Sequence, residues 1–219
     1  MNSRACLLLH GFTGGPFEVE PLARHLRLRG WTCLVPTLAG HGGHLEELRH
    51  TGREEWIASA SAAADTLKEQ YGEFDLIGFS MGGLIAAYLA NRYPVRKLVL
   101  LNAAVIYFSP GRFVRNAAEL IRSGKREQLR VKHETPIKAV IQFMRLVREL
   151  RPEIDHIHMP VFIAQGDCDE VVHPRSASYI YRRIRGEREM AMFPKSRHMI
   201  CLGEEREALF LQVEKFLMK

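Results

Sequence analysis

Short apolar runs recur along the chain, and the longer stretches between them repeat their apolar residues at helical spacing; no other feature limits the fold as tightly. The runs are residues 5–9, 32–35, 74–78, 97–102, 161–165 and 189–193. A strand covered by helices on both faces reads as a near-continuous apolar segment, while each covering helix shows one apolar stripe. Val19, Leu22, Ala23 and Leu26 form one stripe, Trp56, Ile57, Ala60, Ala64 and Leu67 a second, and Leu84, Ile85 and Tyr88 a third. Two later helices are expected over 174–185 and 204–218. The pattern is that of an α/β protein: a mostly parallel central sheet of six or seven strands with helices on both faces.

One interval breaks the alternation. Residues 103–160 separate the fourth and fifth runs, too long a stretch for one crossover helix, so an insertion is expected there. Within it Ile137, Val140, Ile141, Met144 and Val147 repeat at helical spacing, and Val114, Ala117, Ala118 and Ile121 do so more weakly. Residues 105–158 read as a small helical cap on a core formed by 1–104 and 159–219. A length of 219 residues suits one such decorated domain.

Composition excludes more than it names. With 47% hydrophobic and 26% charged residues, neither a disordered chain nor a membrane class is indicated. No window approaches the roughly 18 apolar residues of a spanning helix, and Met1-Asn2-Ser3-Arg4 runs straight into the first strand, unlike a signal peptide. A cytoplasmic location is expected. The net charge of +6 is spread along the chain without a nucleic-acid-binding motif, so neither a nucleic-acid partner nor stable membrane insertion is expected. Its densest stretch, residues 112–151, reads as the solvated outside of the cap, with transient contact to an anionic lipid surface as the alternative. Cys6, Cys33, Cys168 and Cys201 are scattered and lack metal-ligand spacing; they read as reduced thiols, mostly buried, and no metal site is expected.

Chemistry concentrates at Gly78-Phe79-Ser80-Met81-Gly82, a G-x-S-x-G that follows an apolar strand and opens a helix. In that context the serine sits on a strained strand-to-helix turn, and the helix N-terminus aims amide hydrogens at the reacting centre. A serine hydroxyl is protonated at neutral pH and needs a histidine base, which in turn needs a carboxylate to set its tautomer. Downstream of the serine and after a late strand stand His173 and His198; His198, between the sixth run and the last helix, is the candidate base. The loop after the fifth run, Gly166-Asp167-Cys168-Asp169-Glu170, offers three carboxylates. Asp169 is preferred because Val171-Val172 can anchor it, with Asp167 its competitor and Glu170 expected to face solvent.

A tetrahedral intermediate also needs two backbone donors for its oxyanion. Met81 supplies one; the other is expected from the loop His10-Gly11-Phe12-Thr13-Gly14-Gly15, at Phe12. That loop lacks the lysine and Ser/Thr of a phosphate-binding P-loop.

Together these residues resemble the α/β-hydrolase superfamily, and within it the small bacterial carboxylesterases related to monoacylglycerol lipases. The likeness runs through nearly the whole chain. It includes Leu7-Leu8-Leu9-His10-Gly11-Phe12-Thr13-Gly14, Leu38-Ala39-Gly40-His41-Gly42, Glu46-Glu47-Leu48-Arg49-His50-Thr51-Gly52, the serine turn, Asp169-Glu170-Val171-Val172 and Ser196-Arg197-His198. The resemblance implies a triad of Ser80, Asp169 and His198, an oxyanion hole from the amides of Phe12 and Met81, and a helical cap over an apolar acyl pocket. It favours Asp169 over Asp167 more firmly than position alone. Two departures stand out. The chain begins almost at the strand before His10, which implies a reduced sheet, and Phe79 and Met81 stand where other residues are common, which alters only the pocket lining.

The chemistry to be expected is acyl transfer in two halves, with Ser80 attacking an ester carbonyl, His198 moving the proton and water releasing the acyl group; no metal or organic cofactor is required. The substrate read from the resemblance is a short- to medium-chain carboxylic ester, a small molecule whose acyl group meets Phe12, Phe79, Met81, Ile106, Phe143 and Met144. Monoacylglycerol or lysophospholipid hydrolysis is the alternative. A non-catalytic binding protein on the same scaffold is a third reading, against which the complete set of residues argues, and thioester or peptide cleavage would use the same groups.

Overall fold

The computed structural model describes residues 4–106 and 135–219. Its strands are β1 (Arg4–Leu9), β2 (Trp31–Leu34), β3 (Phe74–Phe79), β4 (Val95–Leu101), β5 (Val161–Gly166) and β6 (Arg188–Phe193), each within two residues of an apolar run. They form one sheet in the order β2-β1-β3-β4-β5-β6, and every neighbouring pair is parallel. Parallel neighbours need long crossovers, and helices supply them.

The crossover helices are α1 (Glu20–Arg27), α2 (Arg53–Tyr71), α3 (Met81–Ala90), α4 (Ile137–Leu150) and α5 (Arg175–Arg183), and α6 (Arg206–Met218) follows β6. Alternate strand residues point to opposite faces, so the sheet divides two cores. Leu7, Leu9, Leu76, Leu98, Leu100 and Ile163 share a core with α2, α3 and α5, which α4 joins by packing on α2 and α3. Leu8, Ile77, Phe79, Val99 and Leu101 meet α1 and α6 on the other side. Helix α3 is enclosed almost entirely: every residue but Tyr88 is buried, so Tyr88 is the one member of the expected stripe that reaches the rim.

Helix α4 corrects the sequence reading. Ile137, Ile141 and Met144, expected on its inward stripe, are 80%, 45% and 38% exposed. The buried side carries Ala139, Leu146, Val147 and Leu150, packed in one core with α2 and α3. The helix is apolar on two sides, and the side that bears Ala139 and the two leucines is the buried one. Residues 137–150 thus form a helix packed on α2 and α3, inside the interval between β4 and β5 read as a cap. The weaker stripe of Val114, Ala117, Ala118 and Ile121 lies outside the described residues.

The cysteines differ from expectation in burial. Cys6 and Cys201 are buried, Cys33 is half-buried and Cys168 is exposed; all are free thiols.

Candidate active site

Strand order creates the site. From β1 the chain crosses to β2 on one side and then to β3 on the other, so the loops leaving β1 and β3 diverge and open a crevice at the carboxyl ends of the strands. The loop after β1 holds Phe12 and the turn after β3 holds Ser80.

Ser80 has φ 53° and ψ −116°, in the left-handed region where a side chain costs about 1–3 kcal/mol. Backbone bonds lock the turn: the Ser80 N–H donates to Leu101 O at 2.9 Å and Ser80 O accepts the Ala104 N–H at 3.1 Å. The glycines beside it are required by contact. A methyl at Gly78 would lie 2.4 Å from Gly82 O, and one at Gly82 2.5 Å from Leu9 O and His10 O. Met81 begins α3, where an amide hydrogen has no acceptor one turn back and remains available to an anion.

Asp169 Oδ2 and His198 Nδ1 are 2.9 Å apart, with side chains 0% and 13% exposed. Asp169 Oδ1 accepts the Val171 and Val172 N–H groups at 2.8 and 2.9 Å, so the two valines anchor the carboxylate through their amides. With Nδ1–H given to the carboxylate, Nε2 presents a lone pair, the form a general base needs. The Phe79 ring supports the imidazole, centroids 5.0 Å apart. Asp167 and Glu170 are exposed, and Glu170 pairs with Arg197 at 3.5 Å. His173 does other work: its Nδ1 accepts the Arg175 N–H at the start of α5.

Two residues that sequence reasoning missed hold these loops. Asn102, with φ 44°, donates from Nδ2 to His198 O at 2.7 Å and Arg197 O at 3.2 Å, while its Oδ1 accepts the Gly166 N–H at 2.8 Å. It thus staples the histidine loop to the end of β5. Its signal in sequence is an asparagine placed directly after an apolar strand, where a positive φ is tolerated. The other is Glu18, only 7% exposed, whose Oε2 accepts the Gly11 N–H at 2.7 Å. Burial raises its pKa to about 7, against the lowering effects of that amide and of His198. Its signal is weaker still, a carboxylate between Phe17 and Val19.

The β1 loop is fixed from beneath. Buried His10 accepts the Leu38 N–H at Nε2, 3.1 Å, and donates from Nδ1 to Gly11 O, 2.9 Å. Burial lowers its pKa to about 4, which keeps it neutral in that double role. His41 packs edge-on against His10 and Trp56, and Trp56 Nε1 donates to Thr51 Oγ1 at 3.2 Å, so the segments around His41 and Thr51 act as buttresses.

Of the side chains expected to meet an acyl group, Phe12 and Phe143 are brought together, stacked with centroids 4.9 Å and planes 6° apart. Phe79 and Met81 are 1% and 0% exposed, each packed into one of the two cores. Ile106 and Met144 line a cavity of about 470 Å³ between α4 and α5, together with Arg148, Arg151 and Tyr179. Among the described residues its lining includes none of Phe12, Ser80, Asp169 or His198, so it lies beside the centre.

An α/β sheet with a serine turn, a carboxylate–histidine pair and a buttressed amide loop at one edge defines a hydrolase-type site. The sequence profile of the alpha/beta hydrolase family matches residues 6–212, and the chain belongs to that family. It is 30% identical over 230 residues to a carboxylesterase of Bacillus subtilis (strain 168), covering 100% of this chain and 94% of that protein. To a thermostable monoacylglycerol lipase of Bacillus sp. (strain H-257) it is 31% identical over 224 residues, 97% and 90% of the two chains. A solved structure from work on LipS and LipT, metagenome-derived lipolytic enzymes, superposes with a TM-score of 0.84 at 23% identity, over 99% and 94% of the two chains.

Proposed function

We propose that this protein hydrolyses carboxylic esters through an acyl-enzyme on Ser80, with His198 as general base and acid, Asp169 orienting it, and the amides of Phe12 and Met81 binding the oxyanion. The observation that carries the reading is the 2.9 Å Asp169–His198 pair, whose imidazole lies against Phe79, the residue before the strained serine turn. Attack by Ser80 Oγ on the ester carbonyl passes the hydroxyl proton to His198 Nε2. The imidazolium gives that proton to the departing alcohol, and water then repeats the sequence to release the acid. The carboxylesterase relative supports ester cleavage, and short- to medium-chain esters are the proposed class. The stacked pair Phe12 and Phe143 is the proposed acyl surface, and the interval 105–158 is proposed to cap it, rooted in the core through α4.

Hydrolysis of p-nitrophenyl esters of graded chain length by wild type and Ser80→Ala tests this: a loss on the order of 10³-fold or more is expected. Undiminished turnover by the variant would sink the proposal. A second reading, monoacylglycerol hydrolysis, is favoured by the lipase relative of similar identity. A higher kcat/KM on a micellar monoglyceride than on a soluble short-chain ester would select it.

A further inference from the structure

Glu18 is a carboxyl group that the reaction as drawn does not use, yet it is sealed beside its centre. It closes the 3-10 turn Pro16–Glu18 and holds the Gly11 N–H at 2.7 Å. A methyl at Gly14 would fall 2.1–2.3 Å from its Cδ, Oε1 and Oε2, so the loop is wrapped closely around this group. Gly11 is therefore pinned twice, its N–H by Glu18 and its C=O by His10 Nδ1. The Gly11 carbonyl and the Phe12 N–H belong to one trans peptide, in which they point in opposite directions. Fixing both polar groups of Gly11 fixes the direction of the Phe12 N–H.

We propose that Glu18 is a positioning residue for oxyanion binding: by holding the Gly11 amide it keeps the Phe12 N–H directed at the Ser80 centre, a role that rests on the ester-hydrolase reading above. Gly11 stands between the carboxyl and the serine, since a Cβ on Gly11 would be 3.2 Å from both Glu18 Oε2 and Ser80 Cβ. Glu18 acts through that backbone. A neutral carboxyl still accepts an N–H through its carbonyl oxygen, so the hold does not require charge.

The test compares steady-state hydrolysis of a soluble p-nitrophenyl ester by wild type, Glu18→Ala, Glu18→Gln and Gly14→Ala. Glu18→Ala is expected to lower kcat about 10- to 100-fold, short of the loss for a deleted oxyanion donor, with KM within about threefold. Glu18→Gln, whose amide oxygen can accept the same N–H, restores the larger part. Affinity for a trifluoromethyl ketone, which adds Ser80 Oγ and places an oxyanion in the hole, falls in step with kcat. If Glu18→Ala does not fold, Gly14→Ala, whose methyl displaces the carboxyl, carries the same expectation. The inference is overturned if kcat stays within about twofold of wild type, if KM takes the loss, or if the Gln variant is as slow as the Ala variant. Ser80→Ala measured in parallel separates the two claims: full turnover by it removes the ester-hydrolase reading, whereas an inactive Ser80→Ala beside a fully active Glu18→Ala removes only the role of Glu18.

Discussion

Asp167, Asp169 and Glu170 share one short loop and meet different surroundings. Two reach solvent, while Asp169 is enclosed, one oxygen on His198 and the other on two amides. A carboxylate held on one oxygen presents the other in a fixed direction and so sets the imidazole's tautomer. Asp169→Asn is expected to lower kcat on ester substrates by about 10³- to 10⁴-fold, and Asp167→Asn by no more than about threefold. Equal losses, or the reverse order, would refute the assignment. Glu18 carries a stability prediction as well. Its folded pKa of about 7 exceeds the usual 4.5, so the folded chain binds this proton more tightly than the unfolded one. The stability tied to neutral Glu18 is complete below about pH 4.5 and is lost as pH rises through about 7. Relative to wild type, Glu18→Gln is expected to gain stability across that window, by up to about 3 kcal/mol, and to level off above it. Urea midpoints against pH measure this, and a flat or falling difference contradicts it. Ser80 and His198 stand out as candidates in sequence because motif and flanking elements agree, whereas Asn102 and Glu18 bond to backbone groups and leave no motif.

The four inner strands were the most legible elements because they are buried on both faces, which makes their apolar runs continuous, whereas the edge strands β2 and β6 are partly exposed. Helices with one apolar side were legible for a similar reason: α1 buries Leu22, Ala23 and Leu26 as spacing predicts. Helix α4 was legible as a helix but not in its orientation, since apolar residues occupy two of its sides and spacing alone does not say which one packs on α2 and α3. Its orientation makes a prediction. Leu146→Ala, which opens a cavity in the buried core, is expected to cost about 2–5 kcal/mol, while Ile141→Ala, at an exposed position, changes stability by about 0.5 kcal/mol or less. Urea unfolding of both variants decides it, and a larger loss at Ile141 would restore the original stripe.

At the scale of the molecule, loops from four different strands deliver Phe12, Ser80, Asp169 and His198 to one edge of the sheet. The alternation of runs and stripes predicts a parallel sheet, but it does not encode strand order, and strand order opens the crevice between the β1 and β3 loops. The family resemblance carried that part of the reading, because its motifs imply which loops meet. Chemistry at this edge then depends on close backbone approaches, where glycines admit neighbouring chain, and on a serine held in a strained turn by the next strand. The most direct check is peptide mapping after reaction with an alkyl fluorophosphonate, which forms a bond to an activated serine oxygen as fluoride leaves. The account predicts one label per chain, on Ser80, with ester hydrolysis lost in proportion to labelling; label on another residue, or full turnover by the Ser80-labelled protein, would contradict it.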